Sequence, residues 1–264
     1  MKGLVLSGAK GWLALCALAI VLLAVACGAS NQFSGDLLVA AAANLQPAFD
    51  EMDPLFEEET GTKVTFSYGS TVALAQQIEA GLPADLFVAA DVEDVDRLRE
   101  KGLLIEDTQQ VYARGRLALA SSTKAGVTVS ELEDLLRPEV EKIAIADPEI
   151  APYGRAAEEA LRSAGLWDEV KPKLVYGQNV SAATEYVRSG NAEAGLVALS
   201  LVIQEPAVTY VTVDDSLHQP IQQALAVIRG AKNEELARRF ETFIRGPEGR
   251  TVLEKYGFVV PEEE

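Results

Sequence analysis

The chain is poor in the side chains on which most enzyme chemistry rests. Among 264 residues there is one histidine, His218, and there are two cysteines, Cys16 and Cys27. No H-E-x-x-H, C-x-x-C, Walker A or G-x-G-x-x-G pattern occurs. A nucleophile elbow needs glycine two residues either side of its serine, and around Ser70 those places hold Tyr68 and Val72. His218 sits in a polar Leu217-His218-Gln219-Pro220 segment with no patterned Ser or Asp near it, and reads as a surface or interdomain histidine. A secreted hydrolase built on Ser70 and His218 is the only enzymatic rival, and no turnover is expected. Basic residues are also scarce, 23 against 40 acids, for a net charge of −17. That balance excludes nucleic acid as a partner and adhesion to anionic lipid. Runs such as Glu57-Glu58-Glu59 and Glu262-Glu263-Glu264 read as solvated faces and a tail.

Long apolar runs are confined to the first residues. Lys2 and Lys10 form a basic front, and Trp12 to Ala26 has the length of a signal-peptide core, short for a membrane span. The run ends Leu23-Ala24-Val25-Ala26-Cys27-Gly28. Small residues before a cysteine resemble the lipobox of lipoprotein precursors, although Ala24 stands where a larger aliphatic is usual. Ala24-Val25-Ala26 also fits plain A-x-A cleavage and a soluble secreted product; the place of Cys27 favours the lipoprotein. Residues 1–26 are therefore expected to be a signal peptide, and residues 27–36 a lipidated Cys27 with a polar tether. Cleavage there removes Lys2, Lys10 and Cys16, takes the net charge from −17 to −19 and leaves no second cysteine for an internal disulfide. The mature protein is expected at the outer face of the cytoplasmic membrane or in the periplasm, held together by core packing alone.

What remains is an ordinary globular composition, 48% hydrophobic and 24% charged, enough for one large or two modest domains. Strands are expected at 37–42, 63–68, 86–89, 116–120, 143–146, 174–176, 195–199, 208–213 and 222–228. Helices are expected between most of them, with Asn44, Asp91 and a Ser130/Glu133 capping box at three of the starts, and two more after 228. Alternation of this kind predicts an α/β fold with mixed, mostly parallel sheets covered by helices on both faces. The pattern runs through twice. One domain is expected over 37–115 plus 224–264 and a second over 116–223, with crossovers near Ala113 to Leu117 and His218 to Ala224.

In such sheets ligands bind beyond the carboxyl ends of the strands, where helix N-termini also lie. Four turns stand at such places: Ala43-Asn44, Ser70-Thr71, Tyr153-Gly154 and Asn179-Val180. Each follows an expected strand and opens an expected helix. A helix start leaves backbone N–H groups without partners and carries the positive end of the helix dipole, so it attracts anions. Any one of these turns, taken alone, reads as simple capping. Two from each half, facing a shared cleft, read as an anion site.

Five blocks carry a resemblance. Val39 to Leu45 (VAAAANL), Gly69 to Ile78 (GSTVALAQQI), Gly81 to Asp91 (GLPADLFVAAD), Asp147 to Leu161 (DPEIAPYGRAAEEAL) and Gly246 to Phe258 (GPEGRTVLEKYGF) resemble, in order and spacing, the molybdate-binding proteins of molybdate ABC transporters. The likeness covers essentially all of the mature chain. It implies the two-domain periplasmic-binding-protein fold, type II, with a tetrahedral oxyanion held between the domains by uncharged donors. It implies contacts from Asn44 (side chain and backbone), Thr71 (hydroxyl and N–H), its neighbour Ser70, Tyr153 (N–H and phenol) and the Val180 N–H. Where some members supply a tyrosine hydroxyl this chain has Ala198, so either Tyr153 replaces that donor or the pocket has one fewer. The implied ligand is molybdate, with tungstate beside it; the implied partner is a membrane permease. No cofactor, no bare metal ion and a monomer are expected. Hydrogen bonds to a charged group contribute about 1.5–3 kcal/mol each, so a handful reaches the roughly 8 kcal/mol of micromolar binding after association costs. The net charge of −17 does not forbid this, because exposed charges beyond about 10 Å are screened. A donor-only shell suits ions without a proton at neutral pH. Sulfate, phosphate (Asp147 being near in sequence as an acceptor) and a small carboxylate paired with Arg155 stay open as alternative ligands.

Overall fold

The computed structural model describes residues 36–261. The expected leader, the expected lipidation at Cys27 and, but for Asp36, the expected tether lie outside the described residues. Ten strands and nine helices are described, with short 3-10 turns between some of them. The first sheet takes β1 (Leu37–Ala42), β2 (Val64–Gly69), β3 (Leu86–Ala89), β4 (Gln110–Gly115) and β10 (Ile221–Val227), in the order β2-β1-β3-β10-β4. The second takes β5 (Leu117–Ser122), β6 (Ile143–Ala146), β7 (Leu174–Gly177), β8 (Ala194–Ala198) and β9 (Val208–Thr212), in the order β7-β6-β8-β5-β9.

The two sheets repeat one plan. Three strands pair in parallel, and a fourth element, β10 or β5, pairs antiparallel with both its neighbours. Four of the five strands in each sheet thus run in one direction, and the reversed one is the strand that has just arrived from the other sheet. The chain crosses at Arg116, between β4 and β5, and returns between β9 and β10. Sequence reading saw a single strand near 116–120; β4 before it was missed.

Helices α1 (Gln46–Thr60), α2 (Thr71–Glu79), α3 (Glu93–Glu100), α8 (Glu234–Arg245) and α9 (Pro247–Lys255) accompany the first sheet. Helices α4 (Pro152–Ser163), α5 (Trp167–Val170), α6 (Val180–Ser189) and α7 (Leu199–Val202) accompany the second. Core strands β1, β3, β5, β6 and β8 are almost wholly buried, which is why they read as plain apolar runs. The C-terminal helices close back on the first sheet, where Phe240 of α8 meets Phe56 edge-on at 4.9 Å and Phe49 at 5.8 Å. Among the described residues no helix is long and apolar enough to cross a membrane.

Two of the three expected starts differ in detail. Asn44 does not cap α1; it lies inside a 3-10 turn, Ala43–Leu45, and the helix begins after it with Pro47 in its first turn. The capping box sits one residue on from the expected one, with Glu131 and Asp134 as its members, and it opens a 3-10 turn, Leu132–Leu136, rather than a helix. Asp91 does act as expected, its Oδ1 accepting from the Asp94 N–H at 3.0 Å.

Candidate oxyanion site in the cleft

All four turns meet at one small cavity between the sheets. Its walls are Ala42 to Asn44 and Gly69 to Thr71 from the first sheet, and Ala151 to Tyr153 and Asn179-Val180 from the second, with Ala90 closing one side. The space is about 10 Å3 for the centre of a water-sized sphere, which corresponds to a void of roughly 2.7 Å radius. That suits a compact ion. No charged side chain lines it.

Each wall offers backbone N–H groups that no helix can use. Thr71 and Val180 are the first residues of α2 and α6, and Tyr153 follows Pro152 at the start of α4. The side chains divide in an informative way. Simple capping predicts that Ser70 would bond back to its helix; it makes no such bond, and its hydroxyl is buried without a partner. The Thr71 hydroxyl, by contrast, accepts from the Ala90 N–H at 3.1 Å and ties β3 to α2. Both hydroxyl protons are therefore uncommitted, that of Thr71 on an oxygen held by the Ala90 N–H and that of Ser70 on an oxygen with no partner. Asn179 follows the capping reading, its Oδ1 accepting from the Ala182 N–H at 2.9 Å, so only backbone is left at that turn.

Tyr153 is 1% exposed, and its burial raises the phenol above its ordinary range, so it remains a neutral donor at any physiological pH. Its hydroxyl oxygen lies 3.5 Å from Asn44 Nδ2. Ala198, by contrast, ends β8 away from the cavity; two residues on, Ser200 Oγ donates to the Asn44 carbonyl at 2.7 Å. Ser181 Oγ likewise donates across the cleft to the Ala43 carbonyl at 3.0 Å. The two sheets are thus stitched together around the cavity.

Arg155 does not enter it. The side chain crosses the cleft to Asp91 at 2.5 Å, with Glu93 at 3.9 Å, and so is not free to pair with a small carboxylate. The pair spans a neighbouring groove of about 400 Å3 whose other charged walls, Glu93 and Glu159, are acidic. Burial first, then the Asp91 charge, push nearby Asp94 up to about 6, against the pull of Arg97. An anion finds no free cation in that groove. The Asp91–Arg155 pair is part-buried, with side-chain exposures of 33% for Arg155 and 12% for Asp91, and even the value of an exposed pair gives about 0.2–1 kcal/mol. Arg155→Gln is accordingly expected to raise the open fraction of the empty protein about two- to five-fold, read as a larger radius of gyration by small-angle scattering. An unchanged scattering curve would remove the pair from closure.

His218 is 8% exposed and lies on the return segment, where its Nδ1 pairs with the Gln219 carbonyl at 2.8 Å. That fits the interdomain reading and not the surface one, and it makes no contact with Ser70. Among the described residues no group of three His, Cys, Asp or Glu side chains is placed to hold a metal ion. Sequence reasoning missed Ser181 and Ser200 of this region, and also Gln223 of β10, whose Oε1 accepts from Asn44 Nδ2 at 2.9 Å.

The sequence profile of the bacterial extracellular solute-binding proteins matches residues 37–259. The chain belongs to that family. This solute-binding protein is a binding protein rather than an enzyme, as its relatives are. It is 34% identical to the molybdate-binding protein of Rhodobacter capsulatus, over 86% of this chain and 89% of that one. It is 32% identical to a putative ABC transporter substrate-binding lipoprotein of Bacillus subtilis, over 92% and 95%. Its fold matches the Azotobacter vinelandii periplasmic molybdate-binding protein with a TM-score of 0.81 at 28% identity, covering 86% of this chain and all of that one. The solute-binding protein accordingly serves ABC import from outside the cytoplasmic membrane.

Proposed function

We propose that this protein captures molybdate, and tungstate with it, and delivers the ion to the permease of an ABC importer. The observation that carries the reading is the convergence of three helix starts and a 3-10 turn on a small void that no charged side chain lines. The ligand set consists of the N–H groups of Asn44, Thr71, Tyr153 and Val180 with the hydroxyls of Ser70, Thr71 and Tyr153. Asn44 contributes backbone in this reading, since its amide nitrogen is already engaged. Names of relatives from Rhodobacter and Azotobacter agree with it. Anchoring through Cys27 belongs to the same proposal, supported by the lipobox-like run and by the Bacillus relative described as a lipoprotein. The protein acts as a monomer that closes its two lobes, 37–115 with 224–264 and 116–223, about the crossover strands.

Calorimetric titration of the mature protein with molybdate, tungstate, sulfate and phosphate tests this. Micromolar or tighter binding of molybdate is expected, with sulfate and phosphate much weaker; tight sulfate binding, or none of molybdate, defeats the reading. Affinity is also expected to stay flat from pH 6.5 to 9, because Tyr153 is held neutral by burial and no other titratable group lines the site. A phosphate binder would instead follow the proton of its ligand. In the same titration Val180→Pro removes one N–H donor at a first helical position, where proline is well tolerated. It is expected to weaken binding by about ten- to hundred-fold with α6 intact by circular dichroism.

A further inference from the structure

Gln223 is fully buried on the strand that returns from the second sheet to the first, at a point where the register of β10 against β4 slips. Such irregularities re-aim a side chain, and here the side chain reaches the Asn44–Tyr153 contact. Its Nε2 donates to the Ile221 carbonyl at 3.2 Å and lies 3.5 Å from that of Ala90. Carbonyls only accept, so the amide is oriented with nitrogen toward them and oxygen toward Asn44. That oxygen in turn admits only the Asn44 nitrogen, at 2.9 Å, which fixes a second amide. The other Asn44 N–H then faces the Tyr153 hydroxyl oxygen. A phenol whose oxygen accepts from Asn44 has its own proton to spend elsewhere, and Tyr153 lines the cavity. The first crossover strand backs the same point: a Cβ on Gly115 would collide with the Tyr153 hydroxyl and stand 3.0 Å from Gln223 Nε2.

We propose that Gln223 is a positioning residue for the oxyanion site, holding the Asn44 amide so that the Tyr153 hydroxyl proton points into the cavity. Without Gln223 the Asn44 amide is free to turn over. Its oxygen, which is buried and unpartnered as it stands, would then take the phenol proton away from the anion. The relay joins a residue of each lobe to the return strand, so it is complete only when the lobes are closed. This inference rests on the oxyanion reading for its ligand, but its geometry can be tested without one.

The experiment is a double-mutant cycle on the intact mature protein, titrated with molybdate. Gln223→Leu and Tyr153→Phe are each expected to weaken binding by about ten- to hundred-fold. The double variant is expected to be no weaker than the poorer single one, because the first residue acts through the second. A merely structural role for Gln223 gives additive losses, and additivity, or wild-type affinity in Gln223→Leu, overturns the proposal. Gln223→Met, which keeps the length and removes the amide, takes its place in the cycle if the leucine variant does not fold. If the wild-type protein binds none of the four anions, the oxyanion reading falls by itself. The relay is then judged on urea unfolding of the unliganded protein, where Asn44→Ala and Gln223→Leu should be clearly non-additive; additive effects there overturn it.

Discussion

A Ser70→Asp variant is expected to lose oxyanion binding by at least about a thousand-fold while folding as the wild type does. Ser70 is the N-cap of α2, with φ −72° and ψ 147°, and aspartate ranks beside serine at that position. A negative charge at a helix start is itself stabilising by about 0.3–1 kcal/mol, so the unfolding midpoint should hold or rise slightly. Binding fares differently. The new carboxylate takes the place of the unpartnered hydroxyl, at the mouth of the same dipole that attracts the ion. Two unit charges 4 Å apart interact by about 4 kcal/mol at an effective dielectric constant near 20, and a dianion doubles this. Even with half of that screened, the loss is about three orders of magnitude. Calorimetry of the variant beside its urea curve checks both halves. Binding within tenfold of wild type would mean that Ser70 does not face the ligand. Thr71→Ala is the informative contrast, since its hydroxyl bonds the Ala90 N–H and its loss should lower stability as well as affinity.

The contrast between these two neighbours shows where sequence reading reaches its limit. Strands β1, β3 and β6 announce themselves as apolar runs because both their faces are buried, and the four helix starts follow from turn residues set between such runs. Local chemistry of this kind is written in consecutive residues. Strand β4, Gln110–Gly115, is an edge strand of mixed polarity with no such run, and the four-residue helices α5 and α7 are too short to show a period. That the Thr71 hydroxyl oxygen is held in place and the Ser70 one is not depends on Ala90, nineteen residues on. The Asp91–Arg155 pair joins residues 64 apart and the Asn44–Gln223 bond residues 179 apart. No spacing in the sequence brings such pairs together; only the closing of one sheet on the other does. The four turns were legible, and the side chains that orient them were not.

That closure also sets how tightly each turn can be built, and the glycines measure it. At Gly154, in the first turn of α4, an added Cβ would collide with the Ala146 carbonyl oxygen and stand 2.8 Å from its carbon and from that of Asp147. At Gly177, ending β7, it would meet the Ala183 backbone nitrogen at 2.5 Å. Both obstacles are main chain and cannot step aside. At Gly69, the matching place in the first lobe, the nearest atom is the Leu74 side chain at 3.1 Å, which can give by a few tenths of an ångström. None of the three has a positive φ, so the glycines are there for space rather than for backbone freedom. Alanine is favoured over glycine by about 1 kcal/mol within a helix, yet forced overpacking costs about 1–3 kcal/mol and more where backbone must move. Gly154→Ala is therefore expected to destabilise the protein by about 3 kcal/mol, lowering the melting temperature by roughly 6–12 °C for a chain of this size. It should also shift the start of α4 off β6 and carry Tyr153 with it, so that affinity falls together with stability. Gly69→Ala should stay within about 1 kcal/mol of wild type. Thermal melts of the two variants side by side decide the matter: equal shifts would show that the second-lobe turns are no tighter than the first-lobe one, and that the approach of helix to strand there is not what holds Tyr153 at the cavity.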